Sequence, residues 1–440
     1  MRLVSSFNHI IIMSANKRLQ GLFLLTYILT CTLLMSSCIK DPTLPVVNTG
    51  EAVQVTINSA EVGGIIIDDG GAEITARGFC WSKASTPSIN DEMIPAGIGT
   101  GEFSSTIEGL EPNTRYYLRS FAENKVGIAY GNEVTFLTGI APPVVTTAQI
   151  SGIGADTAIC GGTITYDGGT AIEAMGICWS KEPMPDINDP HTTEVPGTGN
   201  FTSTLLNLEQ ATVYYVRAYA SNESWTAYGE QLTFRTKLAD IEGNLYNTVL
   251  IGTQLWMADN LRTSKLNDNS QIQNITDNAQ WAAITNPAYC WYNNDSSLKS
   301  TYGALYNWFT AASEKLCPVG WRVPTDDELN ALEISLGMSS DQTGAWGWRG
   351  TDHGNKMKSQ SGWDENGNGT NSSGFSALPG GYRSGSEGKF LLEKTITYWW
   401  SSNEHDAERA WYRRLDSSSD QVYRASTTKK GGKYVRCVKD

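Results

Sequence analysis

Few stretches of this 440-residue chain are rich in residues that do chemistry, and the most suggestive is SGWDENGNGTNSSGF, residues 361–375. Asp364, Asn366 and Asn368 stand two apart, Gly369 follows, and Asn371 adds another side-chain oxygen. Oxygen donors at that spacing suit a hard cation such as calcium, and a helix-flanked calcium loop opens the same way. Such a loop needs a bidentate carboxylate at its twelfth position, which counted from Asp364 is Phe375. Two readings stay open. Asp364, Asn366, Asn368 and Asn371 hold calcium, or the Gly and Asn residues only serve turn conformations, and the second is preferred.

Catalytic patterns are missing. Of four histidines only His353 and His405 lie in the C-terminal part, and neither forms an HExxH or His-x3-His pair. GFSALPG has Leu378 where a nucleophile elbow requires its second glycine. GSEGKF lacks the upstream glycine and the hydroxyl of a phosphate loop. Asp326, Asp327, Glu365, Glu404 and Asp406 are available as a glycosidase pair, but separation in space decides that chemistry. The expectation is a protein that is not an enzyme, with a carbohydrate-active enzyme as the lesser alternative.

Aromatic residues point elsewhere. Eleven of the 14 tryptophans fall between Trp256 and Trp411. Flat rings stack on the apolar C–H faces of sugars, while amides and carboxylates take the hydroxyls. Trp346, Trp348, Trp363, Tyr382, Arg383 and Trp411 are the candidate ligand-binding residues. The competing reading makes over half of these rings core. A ligand could be glycan or protein: exposed tryptophans lining a polar groove favour the first, a flat apolar patch the second.

The elements that must carry these residues are partly visible. Thr325 and Glu328 in VPTDDELNALEISLG form a capping-box pattern, with Asp326 and Asp327 at the positive helix start. Leu329, Leu332 and Leu336 recur at helical spacing, and Gly337 ends the run. A second amphipathic helix is expected near 301–313, with Leu305, Phe309 and Ala312 on one face. Upstream, GFCWSK at 78–83 recurs as GICWSK at 176–181, and AYGNEVTF at 129–136 as AYGEQLTF at 227–234. Both pairs are 98 residues apart, the mark of a tandem duplication. Period-2 alternation between Gly, Asp and Asn turns gives each copy the pattern of a β-sandwich.

Two resemblances follow from these motifs. Leu110 to Tyr116, LEPNTRY, resembles the tyrosine corner of fibronectin type III domains, and the second copy keeps Leu208, Thr212 and Tyr214 with Gln210 in place of the proline. The resemblance implies a tyrosine hydroxyl folded back onto nearby backbone, core roles for Trp81 and Trp179, and a spacer function. DIEGNLYNTVLIGTQLWMADNLRTSKLND at 240–268, YGALYNW at 302–308, LCPVGWRVPTDDEL at 316–329, GFSALPGGYR at 374–383 and YVRCV at 434–438 resemble the Fibrobacter succinogenes major paralogous domain. That family implies an α+β head related to C-type lectin and formylglycine-generating-enzyme domains, on surface lipoproteins of Bacteroidetes type. The copper-binding cysteine pair of the latter enzymes is not reproduced by Cys290, Cys317 and Cys437. Among those three, a Cys317–Cys437 bridge is favoured because it would tie the first helix region to the C-terminal strand, with three buried thiols as the alternative. Cys80, Cys160 and Cys178 are expected to be unbridged, against a Cys160–Cys178 pair.

The N-terminus decides the compartment. Lys17 and Arg18 precede an apolar run to Met35, and MSSC ends at Cys38. This resembles a bacterial lipoprotein signal, which implies lipidation of Cys38 and a protein anchored to a membrane without spanning it. Ile39 after the cysteine favours the outer membrane, and the cell surface is the expected location. A net charge of −13 argues against a nucleic-acid partner. The expected organisation is a signal at 1–37, a lipidated linker at 38–50, fibronectin-III-like repeats at 51–139 and 143–237, and the lectin-like head at 240–440. The expected function is adhesion, or capture of a glycan or surface protein, possible calcium being the one cofactor; a non-catalytic scaffold of a surface complex is the alternative.

Overall fold

The computed structural model describes residues 40–440, so Cys38 and the leader lie outside the described residues. Strand dominates, and no helix among the described residues is long and apolar enough to cross a membrane. The chain divides near Pro142 and Pro143 into two compact units.

The first unit is an antiparallel sandwich. Val46–Thr49, Ser59–Asp68 and Gly101–Glu108 make one sheet. Glu92–Pro95, Ala76–Ser82, Arg115–Asn124, Gly127–Tyr130 and Val134–Leu137 make the other. Alternate residues face inward, as the strand period demands, and Val62, Ile66, Phe79, Trp81, Phe103 and Leu118 fill the core between the sheets. The Tyr116 hydroxyl accepts from the Glu111 amide at 3.0 Å, which pins the connection between the strands it joins.

The second copy opens the other unit with the same plan. Ala158–Tyr166 pairs with Val144–Thr147 and Gly199–Leu205, and Val213–Ser221 with Ala174–Ser180, Thr226–Tyr228 and Leu232–Arg235. Tyr214 accepts from the Glu209 amide at 3.0 Å, so the corner survives replacement of proline by Gln210. Trp179 is only partly buried against its core. Cys80, Cys160 and Cys178 are unbridged and buried, and burial raises the thiols of Cys80 and Cys178 to about 11, out of reach of thiolate chemistry at neutral pH.

The remainder forms the head. Its main antiparallel sheet runs Gly347–Arg349, Ser419–Thr428, Arg409–Asp416, Ile396–Glu404. A smaller sheet joins Thr248–Ile251, Gln254–Met257, Val438–Lys439 and Trp321–Arg322. Cys317 and Cys437 are bridged, with Cα atoms 6.0 Å apart across 120 residues of sequence. Closing so long a loop contributes about 5 kcal/mol in the chain-entropy account. The helix Asp326–Ser335 starts at the reciprocal cap: the Glu328 amide donates to Thr325 Oγ1 and the Thr325 amide to Glu328 Oε2.

The helix expected over 301–313 does not form. Gly303 has φ +83° and ends the short helix Lys299–Tyr302, Leu305–Tyr306 pairs as a strand with Ala288–Cys290, and Asn307 caps a new turn, Trp308–Ala311. Strand pairing overrides the helical periodicity of the apolar residues.

Candidate functional site

The main sheet of the head positions most of the candidate residues, and the period of two sends them to opposite sides. On one side the helix Asp326–Ser335 packs over Arg413, Arg424 and Arg349. Arg413 donates to Asp326 Oδ1 at 2.6 Å and to Glu333 Oε1 at 2.7 Å. Arg349 meets Glu333 Oε2 at 2.6 Å, and Arg424 meets Asp326 Oδ2 at 2.6 Å. These ions are buried, and each carboxylate is shared between two guanidinium groups. Burial alone would raise the Asp326 carboxyl, but hydrogen bonding from Arg424 and the charge of Arg413 outweigh it and hold it below the usual carboxylate range. Burial pulls Arg349 down to about 10 against the pull of Glu333.

Trp411 belongs to this same side and stacks on Arg424, whose Cζ lies 3.6 Å from the ring centroid. Trp346, 54% exposed, packs against Trp411 with centroids 4.7 Å apart. The His405 ring stands edge-on to both, at 5.3 Å and 4.9 Å. Its Nδ1 lies 2.8 Å from Asp406 Oδ2, and the Glu408 amide and His405 together hold that carboxylate below its ordinary range. Two indoles, an imidazole and a carboxylate therefore converge at an exposed edge of the head. Flat apolar surface beside a fixed acceptor can bind a polyhydroxylated ring.

Trp348 faces the opposite side. It is 37% exposed and pairs with Tyr423 across strands, centroids 5.1 Å apart. The Arg414 guanidinium lies 5.4 Å from each of these two rings. Tyr382 packs at 4.8 Å on Tyr398, which in turn packs at 5.2 Å on Tyr412. Thus Trp346 and Trp411 come together, while Trp348 and Tyr382 lie on the outer face of the sheet.

Trp363 and Arg383 are corrected to core residues. Trp363 is 5% exposed, and its indole N–H donates to the Ala377 carbonyl at 3.0 Å. Arg383 is fully buried between Trp281 and Phe390 and donates to the backbone carbonyls of Gly388 and Thr276. Neither can meet a ligand.

In the 361–375 loop the geometry supports the preferred turn reading over the calcium one. Asn368 Oδ1 accepts from the Trp363 amide at 3.0 Å, and Asn371 Oδ1 from the Ser376 amide at 2.8 Å. Glu365, Asn366 and Asn371 have positive φ, the left-handed geometry that Asn tolerates in turns. Two of the four proposed oxygens are thus committed to holding the loop, and Asp364 stays exposed with its carbonyl accepting from Gly367. Among the described residues no three His, Cys, Asp or Glu side chains gather at one point.

Sequence reasoning missed His405 as an aromatic partner, and it missed Tyr398, Tyr412, Arg414 and Tyr423. The signal was available in TYWWSS, RAWYRR and QVYR, where period-2 alternation separates Tyr398, Tyr412, Arg414 and Tyr423 from Trp399, Trp411 and Arg413.

With this geometry in hand, comparison with known proteins is specific for the head. Residues 249–439 match the Fibrobacter succinogenes major domain. The tryptophan cluster, the ion network and the 361–375 loop all lie inside that match. No curated protein matches the chain. Among solved structures, the sensor domain of the anti-sigma factor RsgI4 from Pseudobacteroides cellulosolvens is similar over 22% of this chain and 96% of that one, at 18% identity and a TM-score of 0.18.

Proposed function

We propose that this chain is a lipid-anchored surface binding protein whose Fibrobacter succinogenes major domain captures saccharide at the Trp346–His405–Trp411 edge. The observation that carries the proposal is the half-exposed Trp346 packed on Trp411, with the Asp406 carboxylate held beside both by His405. An indole pair of this kind is a costly surface to leave in water unless something covers it. The two sandwiches act as fibronectin-III-like spacers, and the head has a lectin-like α+β fold. The leader that precedes Cys38 supports lipid anchoring at the outer membrane, facing the cell exterior. No catalytic step is assigned.

A glycan array and polysaccharide pull-down of the full chain, run with calcium and with chelator, tests the reading. Retention of one saccharide class under both conditions is expected, because two of the four loop oxygens already serve as turn acceptors. Retention of none favours the competing role, a non-catalytic scaffold that docks another surface protein. Release of reducing sugar would overturn the non-enzymatic reading.

A further inference from the structure

A cleft of about 570 Å³ opens where the strand Ser419–Thr428 ends, within the range of small-molecule sites, about 300–1,000 Å³. Its lining includes Ala282, Phe309, Glu408, Thr428, Lys429 and Lys430. It adjoins the Trp346–His405–Trp411 edge through the 405–408 turn but contains none of those three side chains.

Two adjacent lysines hold its walls in place. Lys429 is buried; its ammonium donates to the Ala407 carbonyl at 2.9 Å, pairs with Glu404 at 2.7 Å and lies 4.6 Å from the Trp308 ring centroid. The Lys429 amide donates to the Glu408 carbonyl at 2.9 Å, so the turn that carries Glu408 is fixed to the strand end. Lys430 Nζ donates to the Ala282 carbonyl at 3.0 Å and so fixes the helix Asn278–Ala283 as another wall. In the turn Trp308–Ala311, Trp308 and Ala311 are buried in the core, whereas Phe309 is part-buried, joins neither hydrophobic core of the head and lines the cleft.

The charges that remain are one of each sign. An ammonium has three hydrogens to donate, and the Lys430 contact with Ala282 uses one. Glu408 is exposed; among the described residues its carboxylate pairs with no cation, and Lys430 pairs with no carboxylate. A simple anion in this cleft is repelled by Glu408 and a simple cation by Lys430, whereas a dipolar ligand complements both. A neutral sugar offers hydroxyls to each but offsets neither charge. Phe309 and Ala282 add apolar surface between polar groups, which suits a ligand with a hydrophobic side chain.

We propose that this cleft binds an amino acid or short peptide by its free ends, with the ligand carboxylate on Lys430, its ammonium on Glu408 and an apolar side chain against Phe309. The pinned walls leave little of the site to be ordered on binding.

The test is isothermal titration of the full chain with phenylalanine, alanyl-phenylalanine and alanyl-alanyl-phenylalanine, which hold the two charges at increasing separation, and with cellobiose. At least one of the three is expected to bind, and acetylating its amine or amidating its carboxylate should weaken it at least tenfold. Lys430→Met should lose at least tenfold for the free ligand and bind it and its amide alike. Glu408→Gln should lose at least tenfold and no longer distinguish the acetylated form. Both variants should keep the wild-type urea midpoint. Trp346→Ala with Trp411→Ala should change none of this, which separates the result from saccharide capture at that edge. Binding of none of the three, equal binding of the blocked forms, or undiminished binding by either charge variant would overturn the proposal. Binding of cellobiose alone would also overturn it and return the cleft to saccharide.

Discussion

The inner and outer faces of the main sheet are both built from arginine, aromatic rings and tightly buried charge, but they place the charge differently. Inside, Arg349, Arg413 and Arg424 close on Asp326 and Glu333, so that every guanidinium has a carboxylate against it, although Arg349 Nε has no partner. Outside, Arg414 pairs with Asp416, while the buried Lys433 ammonium has only aromatic rings around it. The inner set orients the helix Asp326–Ser335 on the sheet, because its carboxylates sit at Asp326 and Glu333, at the first turn and near the end of that helix. A paired network specifies the fold, whereas an unpaired buried charge is held at a cost in stability.

The largest expected effect breaks the closed side. Glu333→Gln leaves Arg349 and Arg413 without their shared carboxylate, and should cost about 3–5 kcal/mol, read as a lower urea midpoint. Lys433→Met, on the open side, should leave the midpoint unchanged or raise it, because a methionine fills the same cage without charge. If both variants fell equally, the contrast between the faces would be wrong.

The pH dependence separates the faces next. Asp326 has a depressed carboxyl, so its contribution is present above the unfolded value near 4 and is lost as pH falls through the folded one. Stability should therefore drop in acid below about pH 4, and Asp326→Asn should flatten that limb. Lys433 works with the same sign in a different pH window. Its folded value of about 7 lies below the unfolded lysine value, so the unfolded chain binds the extra proton between them and stability rises from neutral pH toward pH 10. Lys433→Met should remove that rise, as seen in thermal midpoints collected from pH 6 to 10.

The smallest effect concerns stability at the exposed rims. Trp348→Ala and Trp346→Ala should each shift stability by about 1 kcal/mol or less, since both indoles are part-exposed in the free protein. A larger loss would place these rings among the structural residues, with Trp363.

Local signals were the legible ones. The Thr325–Glu328 cap and the tyrosine corners at Tyr116 and Tyr214 each span a few residues, so side-chain type and spacing suffice to define them. The segment after Tyr302 was misread because Leu305 and Phe309 fit a helix face, while the pairing of Leu305–Tyr306 with Ala288–Cys290 depends on contacts that spacing does not encode. Trp363 and Arg383 were misjudged for a related reason. A tryptophan in a polar loop looks exposed until the indole N–H finds a carbonyl such as that of Ala377. The face-by-face division of Trp346, Trp348 and Trp411 needed strand register, and Lys433 reaches its cage from a segment separate from the strands that build it.

The central claim is that the Trp346–His405–Trp411 edge binds saccharide. Its most direct test is isothermal titration of the full chain, wild type against Trp346→Ala with Trp411→Ala, using the neutral saccharide retained most strongly on the array. At least a hundredfold loss of affinity is expected in the double variant, with its unfolding free energy within about 2 kcal/mol of wild type, two stacking rings having been removed from one ligand. Undiminished affinity in that variant would contradict it.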